Sequence, residues 1–195
     1  MANEQTKPGP DERLTMYRQA EVALREFFSA SNYCLENCIT QECSKIAFFI
    51  PIPGRLGCCT ENCFDRIPDD DKSDQTMQTT KRFIELQKEN ATCQAHREGE
   101  CDYHSETGCQ IKRYLTPLCL GFICSHQREY LEKNYGIQYP KHMIGVSLKK
   151  IIQGDERQVD LNVWLAKLKQ ATARVKKGKE NQDPKQEVIT IIPST

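Results

Sequence analysis

The chain contains no C-x2-C pair, although it holds eleven cysteines in 195 residues. That absence removes the thioredoxin-type redox motif and the zinc ribbon. The ferredoxin run C-x2-C-x2-C-x3-C-P is missing as well. There is no Gly-rich phosphate loop, Walker sequence, dinucleotide fingerprint or G-x-S-x-G, so nucleotide-dependent and serine-hydrolase chemistries have no motif to stand on. No run approaches the ~20 apolar residues of a membrane span. The first thirty residues carry Asp11, Glu12, Glu21 and Glu26 where a secretory signal would be apolar. A cytoplasmic protein with reduced thiols is therefore expected, with no membrane association.

Apolar side chains are also in short supply. They make up 38% of residues with cysteine included, and mean hydropathy is −0.66. A single domain of this size can bury a core, but a modest one, so a covalent or metal staple is expected. The zero net charge conceals an asymmetry. Residues 1–110 carry 12 Lys and Arg against 19 Asp and Glu, whereas residues 111–195 carry 15 against 8. Mutual attraction or solvation of the two halves accounts for this. The basic stretch 171–179, ATARVKKGK, lacks the interleaved aromatics of a nucleic-acid site, so nucleic acid is not an expected partner and a protein partner is left open.

What the chain has in excess is cysteine. Six lie at positions 34–63 and five at 93–124. Their odd number prevents complete pairing within one chain. Clustering in loop-rich sequence is what a thiolate-rich metal site requires, and soft sulfur ligands select zinc, copper(I) or iron–sulfur clusters. A metal makes such crowding tolerable because it deprotonates and neutralises the thiolates. Cys34-x3-Cys38-x4-Cys43 is looser than a zinc knuckle. The adjacent side chains of Cys58 and Cys59 diverge and do not easily chelate one ion together, whereas Cys59-x3-Cys63 returns to one site. Cys93-x2-His96 and Cys101-x2-His104 have ligand-compatible spacing, but the polar neighbours of both histidines fit exposed side chains better. His126 is a candidate hydrogen-bond donor to a thiolate ligand.

The later cysteines follow a pattern: Cys101, Gly108-Cys109, then Leu115-Thr116-Pro117-x-Cys119-x-x-Phe122-x-Cys124. This resembles the YkgJ-type cysteine-cluster family, described as a zinc- or iron-chelating domain, over roughly residues 34–125. The resemblance implies that Cys101, Cys109, Cys119 and Cys124 form the tail of a metal-ligand set. It implies further that Cys58 and Cys59 supply the family's cysteine pair, and Cys34 and Cys38 the leading ligands. Cys63 joins them on spacing alone. The chain departs from the family in carrying Thr116-Pro117 for Arg-Pro, and in the additional Cys43, Cys63 and Cys93. The broad family includes flagellin lysine methylases, but no methyl-donor motif is present. The local chemistry of the tail agrees: Pro117 stiffens the approach to Cys119, and Phe122 is expected to shield thiolates from water. The competing reading is an apolar loop, LCLGFIC, whose cysteines serve as small core residues.

Hydrophobic periodicity places helices at 12–29 with Asp11 as cap, 74–90 with Met77, Phe83, Ile84 and Leu86 as its apolar marks, 126–134, 143–153 and 157–177. In the last, Leu161, Trp164, Leu165, Leu168, Ala171 and Val175 share a face and Asp160 is the expected cap. The expected fold is mainly α, with few or no strands, around a loop-rich, metal-stapled cysteine centre. The expected organisation is a flexible lead at 1–10, one domain at 11–178 and a flexible tail at 179–195 with a small apolar patch at 188–192. The expected cofactor is an iron–sulfur cluster or zinc. Three functional classes stay open: a redox or protein-modifying cluster protein, a zinc-stapled structural module, and a disulfide-bonded interaction protein.

Overall fold

The computed structural model describes residues 7–34, 36–37, 73–92, 101, 103–105, 108–140, 143–180 and 189–191. Among these the chain is mainly helical. The helices are α1 (Pro10–Ser31), α2 (Asp74–Glu89), α3 (Pro117–Gly121), α4 (Ser125–Tyr135), α5 (Met143–Gln153) and α6 (Gln158–Glu180). The strands have two residues each: β1 (His104–Ser105) pairs antiparallel with β2 (Gly108–Cys109), and β3 (Ile137–Gln138) pairs parallel with β4 (Ile189–Thr190). An isolated antiparallel bridge, Ala91 to Ile111, ties the end of α2 to the segment after β2.

Helix α1 is the axis of the molecule. It packs most extensively on α6, then on α5 and α2. Leu14, Tyr17, Ala20, Leu24 and Phe27 on α1 are buried with Leu161, Trp164, Leu168, Ala171 and Val175 on α6. The alternating three- and four-residue spacing in α6 keeps these side chains on one stripe, which is why this helix is legible from the sequence. Ile144, Leu148, Ile151 and Ile152 of α5 complete the core. Trp164 is a core residue, as its place in that stripe predicts.

Several local expectations are corrected. Helix α1 begins earlier than Asp11: Gly9 is its N-cap and Pro10 opens its first turn, where the missing N–H costs nothing. Asp11 falls within that turn and faces the positive end of the helix dipole. Asp160 is likewise a first-turn residue, held by Arg157, rather than a cap. In α2 the buried positions are Thr76, Thr79, Phe83 and Gln87, whereas Met77 and Ile84 face outward. Polar residues take the inner face there because they have partners: the buried Arg13 donates to Thr76, and Gln87 donates to the Tyr114 carbonyl. The tail departs from its expected role at 189–191. Ile189 and Ile191 are buried, and their N–H groups donate to the carbonyls of Gly136 and Gln138. Two apolar residues on one side of a strand gain more from covering the α4–α6 junction than a free tail would.

Candidate metal centre

The second cysteine block is held against α1 by three polar side chains at i, i+4 and i+8. Tyr17 donates its hydroxyl proton to the Leu115 carbonyl. Glu21, fully buried, accepts from the backbone N–H groups of Tyr114 and Leu115 at 2.8 and 3.2 Å. Arg25 donates to the Ile111 carbonyl at 2.8 Å and to Glu21. Arg18 closes the other side of the Glu21 carboxylate. Spacing of four residues places all three on one helical face. One face of α1 thus reads the backbone of residues 111–115, the approach to Cys119. The same clamp accommodates Tyr114 at φ 61°, a left-handed conformation that is rare for a non-glycine residue. Gln87 of α2 accounts for the remaining Tyr114 carbonyl, donating from its amide at 2.8 Å.

Beyond the clamp the chain turns into α3. Thr116 caps this helix, accepting from the Cys119 N–H at 3.4 Å, and Pro117 occupies its first position. This gives a physical reason for threonine before the proline: its hydroxyl caps the turn that carries Cys119. Cys119 lies near Tyr17. That phenol is pushed well above its usual range, first by burial, then by Glu21 and Cys119. Helix α3 sits tightly on α5, with Gly121 against the backbone of Gly145. Leu120 and Ile123 point into the core, but Phe122 is 47% exposed. The expectation that Phe122 shields the thiolates is therefore corrected. Rotation of the chain at the end of α3 sends it to solvent, and Ile123 takes the inward position.

Cys124 is the N-cap of α4, and its sulfur accepts the Gln127 N–H at 3.4 Å. The side chain of the same residue meets the first cysteine block: the Cys34 thiol donates to Gln127 Oε1 at 3.4 Å. Tyr33 packs on Tyr130 one turn further along α4, with ring centroids 4.9 Å apart. Cysteines ninety positions apart in sequence thus meet the two ends of one buried glutamine.

Cys109 lies in β2, in backbone register with His104 of β1. Burial pushes its thiol above the ordinary value, against the opposing pull of the Ile111 N–H, Arg25 and Lys112. Cys101 is buried just before the hairpin. Cys34, Cys109, Cys119 and Cys124 are half-buried, and Cys109 and Cys119 pack against the hydrophobic core. Cys38, Cys58, Cys59 and Cys63, together with Cys43, Cys93 and His96, lie outside the described residues. Among the described residues, no three His, Cys, Asp or Glu side chains form a group able to hold a metal ion. His126, half-buried, occupies the first turn of α4.

The residues overlooked in the sequence are Gln127, Glu21 and Thr116. Glu21 was legible only as an acidic residue inside an otherwise apolar stripe, four positions from arginine. No described helix is long and apolar enough to cross a membrane. Set against models of known protein families, curated proteins and solved structures, the chain matches none of them.

Proposed function

We propose that the chain binds an iron–sulfur cluster or zinc through thiolates drawn from both cysteine blocks. The ligand pool is Cys34, Cys38, Cys58, Cys59, Cys63, Cys101, Cys109, Cys119 and Cys124, and its tail carries the likeness to the YkgJ-type pattern. One observation carries the reading: Cys34 and Cys124, from opposite blocks, converge on the buried Gln127. Their donor chemistry fits a soft metal, since each sulfur can present a thiolate; Cys124 accepts the Gln127 N–H, and the Cys34 thiol donates to the Gln127 side chain. An iron–sulfur cluster would supply one-electron transfer, and zinc a closed cross-link.

Helices α1, α5 and α6 bury their apolar faces in one core. A redox or protein-modifying role is the first reading, and a zinc-stapled scaffold is the second. What the chain's own residues do is position: Glu21 and Tyr17 fix the approach to Cys119, Thr116 caps its turn, and α4 presents Cys124.

The test is anaerobic purification followed by measurement of iron, zinc and acid-labile sulfide per chain, with a visible spectrum. The expected result is a stoichiometric metal that falls in Cys34→Ser and Cys124→Ser. Iron with sulfide points to the redox class; zinc alone points to the scaffold class. Metal-free wild type with few titratable thiols would replace the proposal with a disulfide-bonded protein.

A further inference from the structure

Gln127 is 3% exposed and lies in the first turn of α4. Its backbone N–H belongs to Cys124 and its side-chain oxygen to Cys34. We infer that Gln127 is the positioning residue of the proposed metal centre, holding one sulfur from each cysteine block in place before and after the metal arrives. The inference rests on the metal reading above.

The reason lies in what a carboxamide can do. A thiol is a donor, and Gln127 Oε1 accepts from it. A thiolate is an acceptor, and needs an N–H. Rotating the amide by half a turn exchanges oxygen and nitrogen at nearly the same place, so glutamine serves both forms of Cys34. Ionised glutamate accepts only and repels a thiolate; leucine does neither. The backbone N–H to Cys124 is independent of the side chain, so substitution at 127 separates the two sulfurs: it removes the Cys34 contact and leaves the Cys124 contact. Hydrogen bonds of this kind to metal ligands alter affinity by roughly 10–100-fold.

The experiment compares wild type with Gln127→Glu and Gln127→Leu. Iron and zinc are measured as purified, and zinc affinity of the metal-free, reduced chain is measured by competition with a chromophoric chelator. In parallel, the rate of Cys34 alkylation at one fixed pH is read by peptide mass in the metal-free protein, and far-UV circular dichroism checks the helices. The expectation is a zinc affinity about tenfold lower in Gln127→Leu and lower still in Gln127→Glu. Cys34 alkylation should change in both variants, since each alters the group to which its thiol donates. The near-isosteric glutamate keeps the test valid even if leucine disturbs folding. Wild-type metal uptake with unchanged affinity and unchanged Cys34 reactivity in Gln127→Glu overturns the assignment of Gln127 alone. A wild type that takes up neither zinc nor iron overturns the metal reading and this inference with it.

Discussion

Replacing Glu21 by alanine should loosen the second cysteine block from α1 while leaving the helical core assembled. The carboxylate accepts from Arg18, from Arg25 through two nitrogens, and from the N–H groups of Tyr114 and Leu115. The two arginine side chains are 25% and 33% exposed and can turn to water, so their loss counts for little. The two backbone donors have no such freedom: an unsatisfied buried N–H costs about 1–3 kcal/mol. Two of them give a loss of about 3–4 kcal/mol. For a chain of this size each kcal/mol shifts Tm by about 2–4 °C, so a fall of roughly 10 °C is expected. Thermal unfolding of the reduced protein by circular dichroism measures it. Amide hydrogen exchange locates it, since Tyr114 and Leu115 should lose protection before the α1–α6 core does. Glu21→Gln, which keeps one acceptor oxygen, should cost less. A loss under about 1 kcal/mol, or unchanged protection at Leu115, would refute the idea that Glu21 holds this segment.

Two further outcomes follow from packing and from titration. A methyl group at position 121 would lie 2.6 Å from the Gly145 nitrogen, which is backbone and cannot swing aside. Gly121→Ala should therefore separate α3 from α5 and destabilise by about 1–3 kcal/mol, measured by denaturant titration, with Cys119 reacting faster with a thiol reagent. A stable variant with unaltered Cys119 reactivity would show that the contact has slack. Stability of the metal-free protein should also fall in alkali. Burial raises Cys109, Tyr17 and Tyr139 above their ordinary values. The folded chain then keeps protons that the unfolded chain releases, so stability is complete below the ordinary thiol value of about 8.5 and is lost progressively as pH rises through 9 and 10. Denaturant midpoints between pH 7 and 10.5 check the slope, which should shrink above pH 10 in Tyr139→Phe; a flat profile would contradict it.

The helices were readable because their cause is local. Leu161, Trp164, Leu168, Ala171 and Val175 repeat at helical spacing, and α6 follows from that repeat. Gly136, in the left-handed region at φ 60°, ends α4 where its sequence position suggests. Element ends were less legible: Gly9 capping α1 in place of Asp11 is a choice among neighbouring residues of similar preference. The outward turn of Met77 and Ile84 was not readable, because the partners of the buried Thr76 and Gln87, Arg13 and Tyr114, lie far off in the sequence. The tail gave an apolar patch but no sign of its docking, since pairing of β4 with β3 needs a partner fifty residues away.

By itself, the order of residues determined a mainly helical chain, the apolar stripe of α6, and two blocks of clustered cysteine; that α1 and α6 pack on each other to form the interior came from the tertiary structure. Periodicity and donor type are properties of neighbouring residues, and the sequence displays them directly. Only the tertiary structure decided that Tyr17, Glu21 and Arg25 clamp the backbone of residues 111–115, and that Cys34 and Cys124 meet at Gln127. Those contacts join positions roughly ninety residues apart. Their energy comes from satisfying buried polar groups, a condition that exists only once the helices have excluded water.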